Sequence, residues 1–412
     1  MTTPGPESPT ELPAPVLLTE PAEGTPDVVV DADALDRAAR LISGGRGPIA
    51  VDTERASGYR YSQRAYLVQI RRAGAGTFLI DPVAVNDEVD SLIEALKADE
   101  WVLHAASQDL PCLGELGLRP GSLFDTELAG RLAGFERVAL GTLVELLLGY
   151  HLEKGHGAAD WSRRPLPLDW LNYAALDVEL LIQLRDALET ELREQGKLEW
   201  ALEEFEALRT APPATPRKEP WRRTSGIHSV RTARGLASIK ALWEARDAMA
   251  RERDIAPGRV LPDSAIIQAA SVNPADEQAL LQLPVFKGRA QRRLAGSWMR
   301  ALRSAAELPR NELPDPSPPA DGPPPANRWA DKDPEAAARL GAARGALIKI
   351  AEANRLPVEN LLQPDLLRRT CWQPPEADVD TVTETLRSGG AREWQIALTA
   401  EAVAKGLRAT AS

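Results

Sequence analysis

Apolar and polar positions follow two rhythms along the chain, and the change of rhythm divides it. Up to about residue 209, short runs of period two interleave with stretches of helical period; from about residue 230 only the helical period persists. In the first part the pattern predicts a helix over 33–43, stopped by Gly44 and Gly45, and a strand over 49–54. Two further strands, 66–71 and 77–81, are joined by Ala73, Gly74, Ala75 and Gly76, the small flexible residues a hairpin needs. A helix over 88–98, a strand over 101–104, another helix, a short strand over 123–125 and helical segments up to Gly196 follow. Three successive strands and then alternating helices and strands imply an α/β domain, a mixed sheet flanked by helices.

Prolines mark the divisions. Pro212, Pro213, Pro216 and Pro220 cannot continue a helix and predict a stiff linker over 210–222. Helices over 230–253, 263–271, 276–283 and 287–306 then form a small all-α unit, 223–309. A second proline-rich linker, 310–328, precedes a final helical unit, 329–412, with helical patterning over 334–409. Shifted by 101 residues without gaps, Ile255, Val260, Leu261 and Ile266 fall on Leu356, Leu361, Leu362 and Leu367, which suggests that the two units are copies. Residues 1–26, rich in Pro, Thr and Glu without apolar periodicity, read as a disordered leader ahead of a first domain over 27–209.

A chain of 412 residues, 43% of them hydrophobic, is too long for one ordinary core and suits several. No apolar run approaches the roughly 18 residues of a membrane span, and the N-terminus lacks the basic-then-apolar pattern of a secretory signal. The expected setting is cytoplasmic, without a membrane partner and with a monomer favoured. Cys112 and Cys371 stand far apart with no metal-binding spacing, so both read as small buried hydrophobes. The net charge of −11 argues against a nucleic-acid partner, but residues 217–309 hold 17 Lys and Arg against 9 Asp and Glu. That basic segment suits a nucleic-acid backbone.

In the strand over 49–54, alternation turns Asp52 and Glu54 to one side and Val51 and Thr53 to the other. Two adjacent carboxylates at a strand end fit either a solvated loop or a cation site. Downstream, a predicted helix over 169–194 carries an apolar stripe at Leu180, Leu181, Leu184 and Leu188, and running the stripe backwards meets Asp177 and Tyr173. A carboxylate on a core-facing stripe wants a metal, an arginine or a proton. Asp109, at a helix start after the strand over 101–104, fits equally a first-turn acid favoured by the helix dipole. Four acids without a histidine or cysteine cluster describe a hard oxygen-ligand site for Mg²⁺ or Mn²⁺, the equipment of phosphoryl transfer.

Three segments, Val51-Asp52-Thr53-Glu54, His104 to Leu110 with Asp109, and Tyr173-Ala174-Ala175-Leu176-Asp177, resemble in order the motifs of the DEDD exonuclease superfamily. Asn172 stands where the histidine branch of that superfamily has its histidine, and Tyr173 where the tyrosine branch has its tyrosine. Within the tyrosine branch the chain resembles ribonuclease D, a likeness extended by Leu123-Phe124-Asp125-Thr126 and by Asp160 to Leu166, and the helical units resemble HRDC domains. The resemblance implies a ribonuclease H-like fold and a 3′-to-5′ exoribonuclease that removes nucleoside 5′-monophosphates from RNA 3′ ends, typically of tRNA precursors. It also implies two ions. Asp52, Glu54 and Asp177 would hold the first, Asp52 would bridge to the second, Asp109 would reach the second through water, and Tyr173 would orient the attacking water.

Near these motifs, His104, Gln108, His156 and Trp161 are candidates to touch the terminal nucleotide. Tyr61 and Arg64 belong to a basic and aromatic loop suited to gripping a strand end. Asp125 could mimic a fifth metal ligand, but the resemblance implies a helper that caps or orients. The same features fit two rival readings: a DNA 3′-exonuclease using the same acids, and a non-catalytic RNA-binding adaptor.

Overall fold

The computed structural model of the chain describes residues 14–97, 99–153, 155–317 and 322–410. Of the expected leader, residues 1–13 lie outside this description, as do residues 318–321 of the second linker.

Residues 14–26 belong to the fold, contrary to the expectation of disorder. Strand β1 (Val16–Leu18) pairs in parallel with β8 (Tyr150–Leu152) far downstream. The main sheet follows with β2 (Val28–Val29), helix α1 (Ala32–Gly44), β3 (Arg46–Arg55), β4 (Ala65–Ala73) and β5 (Gly76–Ile80). The turn between β4 and β5 is tight, with Gly74 and Gly76 at φ of 80° and 94°, where a side chain would be strained. Helix α2 (Asp90–Leu96), β6 (Glu100–Leu103), α3 (Leu110–Glu115), β7 (Ser122–Asp125), α4 (Thr126–Ala133) and α5 (Leu140–Leu148) continue the domain. The six strands run in the order β2-β5-β4-β3-β6-β7, with β4 antiparallel to both its neighbours and the other pairings parallel. Strand β3 is central, so its end is framed by elements on either side.

The helix predicted over 169–194 is two helices, α6 (Leu168–Glu179) and α7 (Leu181–Glu194), meeting at Leu180 with φ −108° and ψ 8°. Asp177 therefore ends a helix that packs across β3, β4 and β5, while the leucine stripe belongs to a second helix against β3 and β6. Helix α8 (Leu198–Arg209) closes the domain against β7.

Two helical units follow. The first contains α9 (Ala233–Arg253), α10 (Pro257–Val260), α11 (Asp263–Val272), α12 (Glu277–Gln282) and α13 (Arg289–Glu307). The second contains α14 (Trp329–Lys332), α15 (Pro334–Ala353), α16 (Val358–Leu361), α17 (Pro364–Trp372), α18 (Val379–Ser388) and α19 (Glu393–Leu407). Shifted by 101 residues, α10 coincides with α16, and α11 begins where α17 begins. The apolar positions paired in the sequence thus occupy equivalent places.

The first unit has its own core, built on Trp221, Leu236, Ile239, Phe286 and Trp298. The second shares one core with the α/β domain, continuous from Leu192 and Phe205 to Leu347, Leu361 and Val403. Trp200 of α8 stacks on Trp394 of α19 at 5.0 Å, and Trp394 Nε1 donates to Glu204. The chains come so close that a Cβ on Gly134, already at φ 89°, would lie 2.7 Å from the Arg355 carbonyl oxygen.

Candidate active site

The C-terminal end of β3 opens into a cleft of about 500 Å³ lined by Asp52, Glu54, Asp109, Tyr173 and Asp177. Carboxylate oxygens of Asp52, Glu54 and Asp177 lie within 4.8 Å of one another. The pleat of β3 supplies the first two side by side, and the last turn of α6 supplies the third. Asp109 joins by a different route, for Thr53, facing away from Asp52, donates its hydroxyl to Asp109 Oδ1 at 2.6 Å. The Cys112 thiol, 3.3 Å from the same hydroxyl, donates to the Asp109 carbonyl. Sequence reasoning left Thr53 out, because its partner is remote in the chain.

The turn that delivers Asp109 is held from below. Ala105 sits in the left-handed region at φ 59°, and its N–H and that of Ala106 donate to Asp125 at 3.1 and 2.9 Å. Asp125 also caps α4 through the N–H groups of Glu127 and Leu128. Asp125, the last residue of β7, thus caps one helix and orients the turn before another. The Thr126 hydroxyl gives its hydrogen to the Leu103 carbonyl, so His104 Nδ1, 2.9 Å away, must carry its own hydrogen and donate. Burial lowers the His104 imidazole to about 4, so it lines the cleft as a neutral ring.

The acids repel one another in a desolvated place. Burial first, and then the charges of Asp109, Asp177 and Glu54, push Asp52 well up. Burial, then the charges of Asp177 and Asp109, raise Glu54 to about 9; burial lifts Asp177 to about 7 and Asp109 to about 6, against opposing hydrogen bonds from Tyr173 and Thr53. Among the described residues no Lys or Arg forms an ion pair with any of the four, whereas the buried Asp81 is held by Arg164 and Glu179 by Arg71. Four acidic oxygen donors, crowded and unneutralised, fit a divalent cation. Tyr173 donates to Asp177, and burial with the surrounding carboxylates raises its phenol above the ordinary value. The hydroxyl therefore stays protonated and acts as a hydrogen-bond partner.

The other candidates separate. Gln108 lines the cleft together with His104. His156 packs edge-on against the Tyr173 ring at 6.0 Å, in a loop whose Gly157 approaches the Tyr173 hydroxyl. Trp161 is fully buried against Trp170, so it offers no face to a base. Arg64 pairs with Asp87 outside the cleft. Tyr61 is turned to the first helical unit, where its hydroxyl donates to Asp247 and accepts from Arg251. Asn172 ties down residues 19–25, donating to the Thr19 carbonyl and accepting from the Thr25 hydroxyl.

The loop carrying Tyr61 begins in the cleft wall at Ser57 and Gly58 and is latched to the first helical unit. Asp254, at φ 47° after α9, accepts the N–H groups of Tyr61 and Ser62 at 3.1 and 2.8 Å. The Ala256 N–H donates to the Tyr59 carbonyl, and Arg259 donates to the Gly58 carbonyl while covering the Tyr59 ring at 4.0 Å.

Comparison with known proteins accounts for this arrangement. Residues 26–193 match the family model of a 3′-5′ exonuclease, residues 236–302 that of the HRDC domain, and residues 322–407 that of a 3′ to 5′ exonuclease C-terminal domain. Ribonuclease D of Acidiphilium cryptum is 32% identical over 340 residues, which cover 80% of this chain and 85% of that one. The chain belongs to the ribonuclease D family. The ribonuclease D of Granulibacter bethesdensis is 33% identical over 275 residues, 65% of this chain and 68% of that one. Among solved structures, a protein from Bifidobacterium adolescentis superposes with a TM-score of 0.90 at 39% identity, over 95% of this chain and 99% of that one. Escherichia coli RNase D, described as an exoribonuclease involved in structured RNA processing, superposes at 0.67 with 25% identity over 93% and 98%. As a ribonuclease D the chain is a divalent-metal-dependent 3′-to-5′ exoribonuclease with an α/β exonuclease domain and a following helical HRDC region, which favours neither rival reading. Among the described residues, no helix is long and apolar enough to cross a membrane.

Proposed function

We propose that Asp52, Glu54 and Asp177 hold one of two divalent ions, Mg²⁺ or Mn²⁺, with Asp52 shared by the second and Asp109 reaching it through water. The observation that carries this reading is the cluster itself: three carboxylates within 4.8 Å, a fourth held beside them by Thr53, and, among the described residues, no cationic side chain paired with any of them. The ions would supply an activated water and neutralise charge on the phosphoryl group and the leaving 3′ oxygen. The protein's part is orientation. Tyr173, kept as a phenol by burial and by its acidic surroundings, positions the attacking water through its hydroxyl. His104 and Gln108 line the place where the terminal nucleotide enters.

The RNA we propose is a structured one with a free 3′ end, tRNA precursors above all, processed in the cytoplasm by a monomer. We propose a division into an exonuclease domain that reaches back from 27–209 to include residues 14–26, an HRDC domain over 223–309 and a second HRDC-like unit over 329–412. A 3′-extended tRNA incubated with the wild type and with Asp52→Asn, in Mg²⁺ and in EDTA, tests the reading. Stepwise 3′ shortening that needs both the metal and Asp52 supports it. Shortening that survives Asp52→Asn would exclude Asp52 from the metal set. Tyr173→Phe should slow turnover while leaving Mn²⁺ affinity unchanged; full turnover in that variant would remove Tyr173 from its role.

A further inference from the structure

One charge in the cleft is not explained by the acids. Arg55 ends β3 directly after Glu54, where strict alternation would turn it to the opposite side. Between these residues the register of β3 on β4 slips, with Glu54 opposite Leu67 and Arg55 opposite Ala65. The slip leaves Tyr66 of β4 without a partner on β3, and Glu54 and Arg55 both line the cleft.

Among the described residues that line the cleft, Arg55 is the only lysine or arginine. Its side chain is half-buried, and no hydrogen bond or ion pair engages its guanidinium among the described residues. Other arginines withdrawn from solvent behave differently: the partly buried Arg164 is paired with Asp81 and Arg185 with Glu100, and the buried Arg246 with Asp263. Glu54 and Asp109 feel the charge of Arg55 without being in contact with it. A guanidinium set beside an acid cluster, yet held off it, keeps its donors for an anion that arrives with the substrate. In an RNA strand that anion is a phosphate, whose oxygens match the fork of the guanidinium. The scissile phosphate belongs at the acids, so a cation next to them and out of contact meets the neighbouring linkage.

We propose that Arg55 binds the RNA phosphate on the 5′ side of the scissile linkage and so sets the strand to present one nucleotide at a time. The proposal rests on the reading of the acid cluster as the hydrolytic centre.

Two short RNAs test it. They are identical, with a 2′-deoxyribose at the linkage 5′ to the scissile one, but that linkage is a phosphodiester in one and an uncharged methylphosphonate in the other. Release of the 3′-terminal nucleotide is measured as kcat/KM for the wild type, Arg55→Gln and Arg55→Lys. Loss of a charge-assisted contact should cost Arg55→Gln roughly 10- to 100-fold on the phosphodiester. The wild type should lose a similar factor on the methylphosphonate, Arg55→Gln should lose almost nothing more, and Arg55→Lys should fall between them. Equal losses on both substrates in Arg55→Gln, or full activity, overturn the proposal. Equilibrium binding of both RNAs at low salt, with Ca²⁺ in place of Mg²⁺, separates this outcome from failure of the underlying reading. A wild type that cleaves neither RNA defeats the hydrolytic reading. If the same wild type binds the two RNAs equally, Arg55 is excluded as a phosphate contact as well; tighter binding of the phosphodiester that Arg55→Gln abolishes upholds it.

Discussion

The two helical units share a layout and differ in how they meet the exonuclease domain. The final unit joins it through apolar surface, with Trp394 stacked on Trp200 and a core running through both. The first keeps a separate core and reaches across through polar groups, Asp254, Ala256 and Arg259, to a loop that begins in the cleft wall. Apolar burial is strong and has little directional preference, so the first kind of join stabilises. Hydrogen bonds to backbone groups are weaker and directional, so the second kind positions. One scaffold thus serves to complete a fold in one place and to shape a site in the other.

The largest test of this contrast is Trp394→Ala. Removing a buried tryptophan should cost about 3–5 kcal/mol, and in urea the exonuclease domain and final unit should unfold in a single transition. A cost under about 1 kcal/mol, or two separate transitions, would break the contrast at its stronger end. Asp254→Ala should act the other way, leaving the urea midpoint nearly unchanged while lowering kcat/KM on RNA by about tenfold, since two loop N–H groups lose their acceptor. Unaltered kcat/KM in that variant would mean that the loop holds its shape without the helical unit.

A pH test sharpens the same point. Burial pushes the Asp254 carboxyl up, but hydrogen bonds from Ser62 and Tyr61 and the Arg60 charge outweigh it and hold the group below the ordinary carboxylate range. A carboxyl lowered by folding contributes stability above its unfolded value and loses it as pH falls through the folded value. Hydrogen exchange at the Tyr61 and Ser62 amides, corrected for intrinsic rates, should therefore accelerate on acidification and not between neutral and mildly alkaline pH. In Asp254→Asn that acid-dependent part should vanish; if it persists, another group controls the latch. Tyr61→Phe should have the smallest effect, removing an exposed contact with Asp247 and Arg251 at a cost within about 1 kcal/mol in the urea midpoint. A larger loss would show that the hydroxyl contributes more than the backbone contacts beside it.

Features set by nearby residues were legible in the sequence. Alternation placed Asp52 beside Glu54, a four-residue spacing brought Tyr173 to Asp177, and prolines marked the linkers. What escaped depends on partners remote along the chain. The register slip beside Arg55 exists only against β4, and Thr53 finds Asp109 56 residues away. Residues 16–18 have no apolar rhythm of their own and become a strand because 150–152 lie alongside them. The break at Leu180 was hidden because Leu181, Leu184 and Leu188 continue the helical spacing past it. Trp161 and Tyr61 look alike as aromatic candidates in a list of residues, yet one is sealed in a core and the other belongs to a domain contact.

The shared core also bears on how the protein is made. During synthesis from the N-terminus, the face of α8 around Trp200 and the surface at Gly134 stay uncovered until residues 355–394 have left the ribosome. The exonuclease domain therefore reaches its finished packing only after the intervening helical unit, which can fold on its own core, has been made.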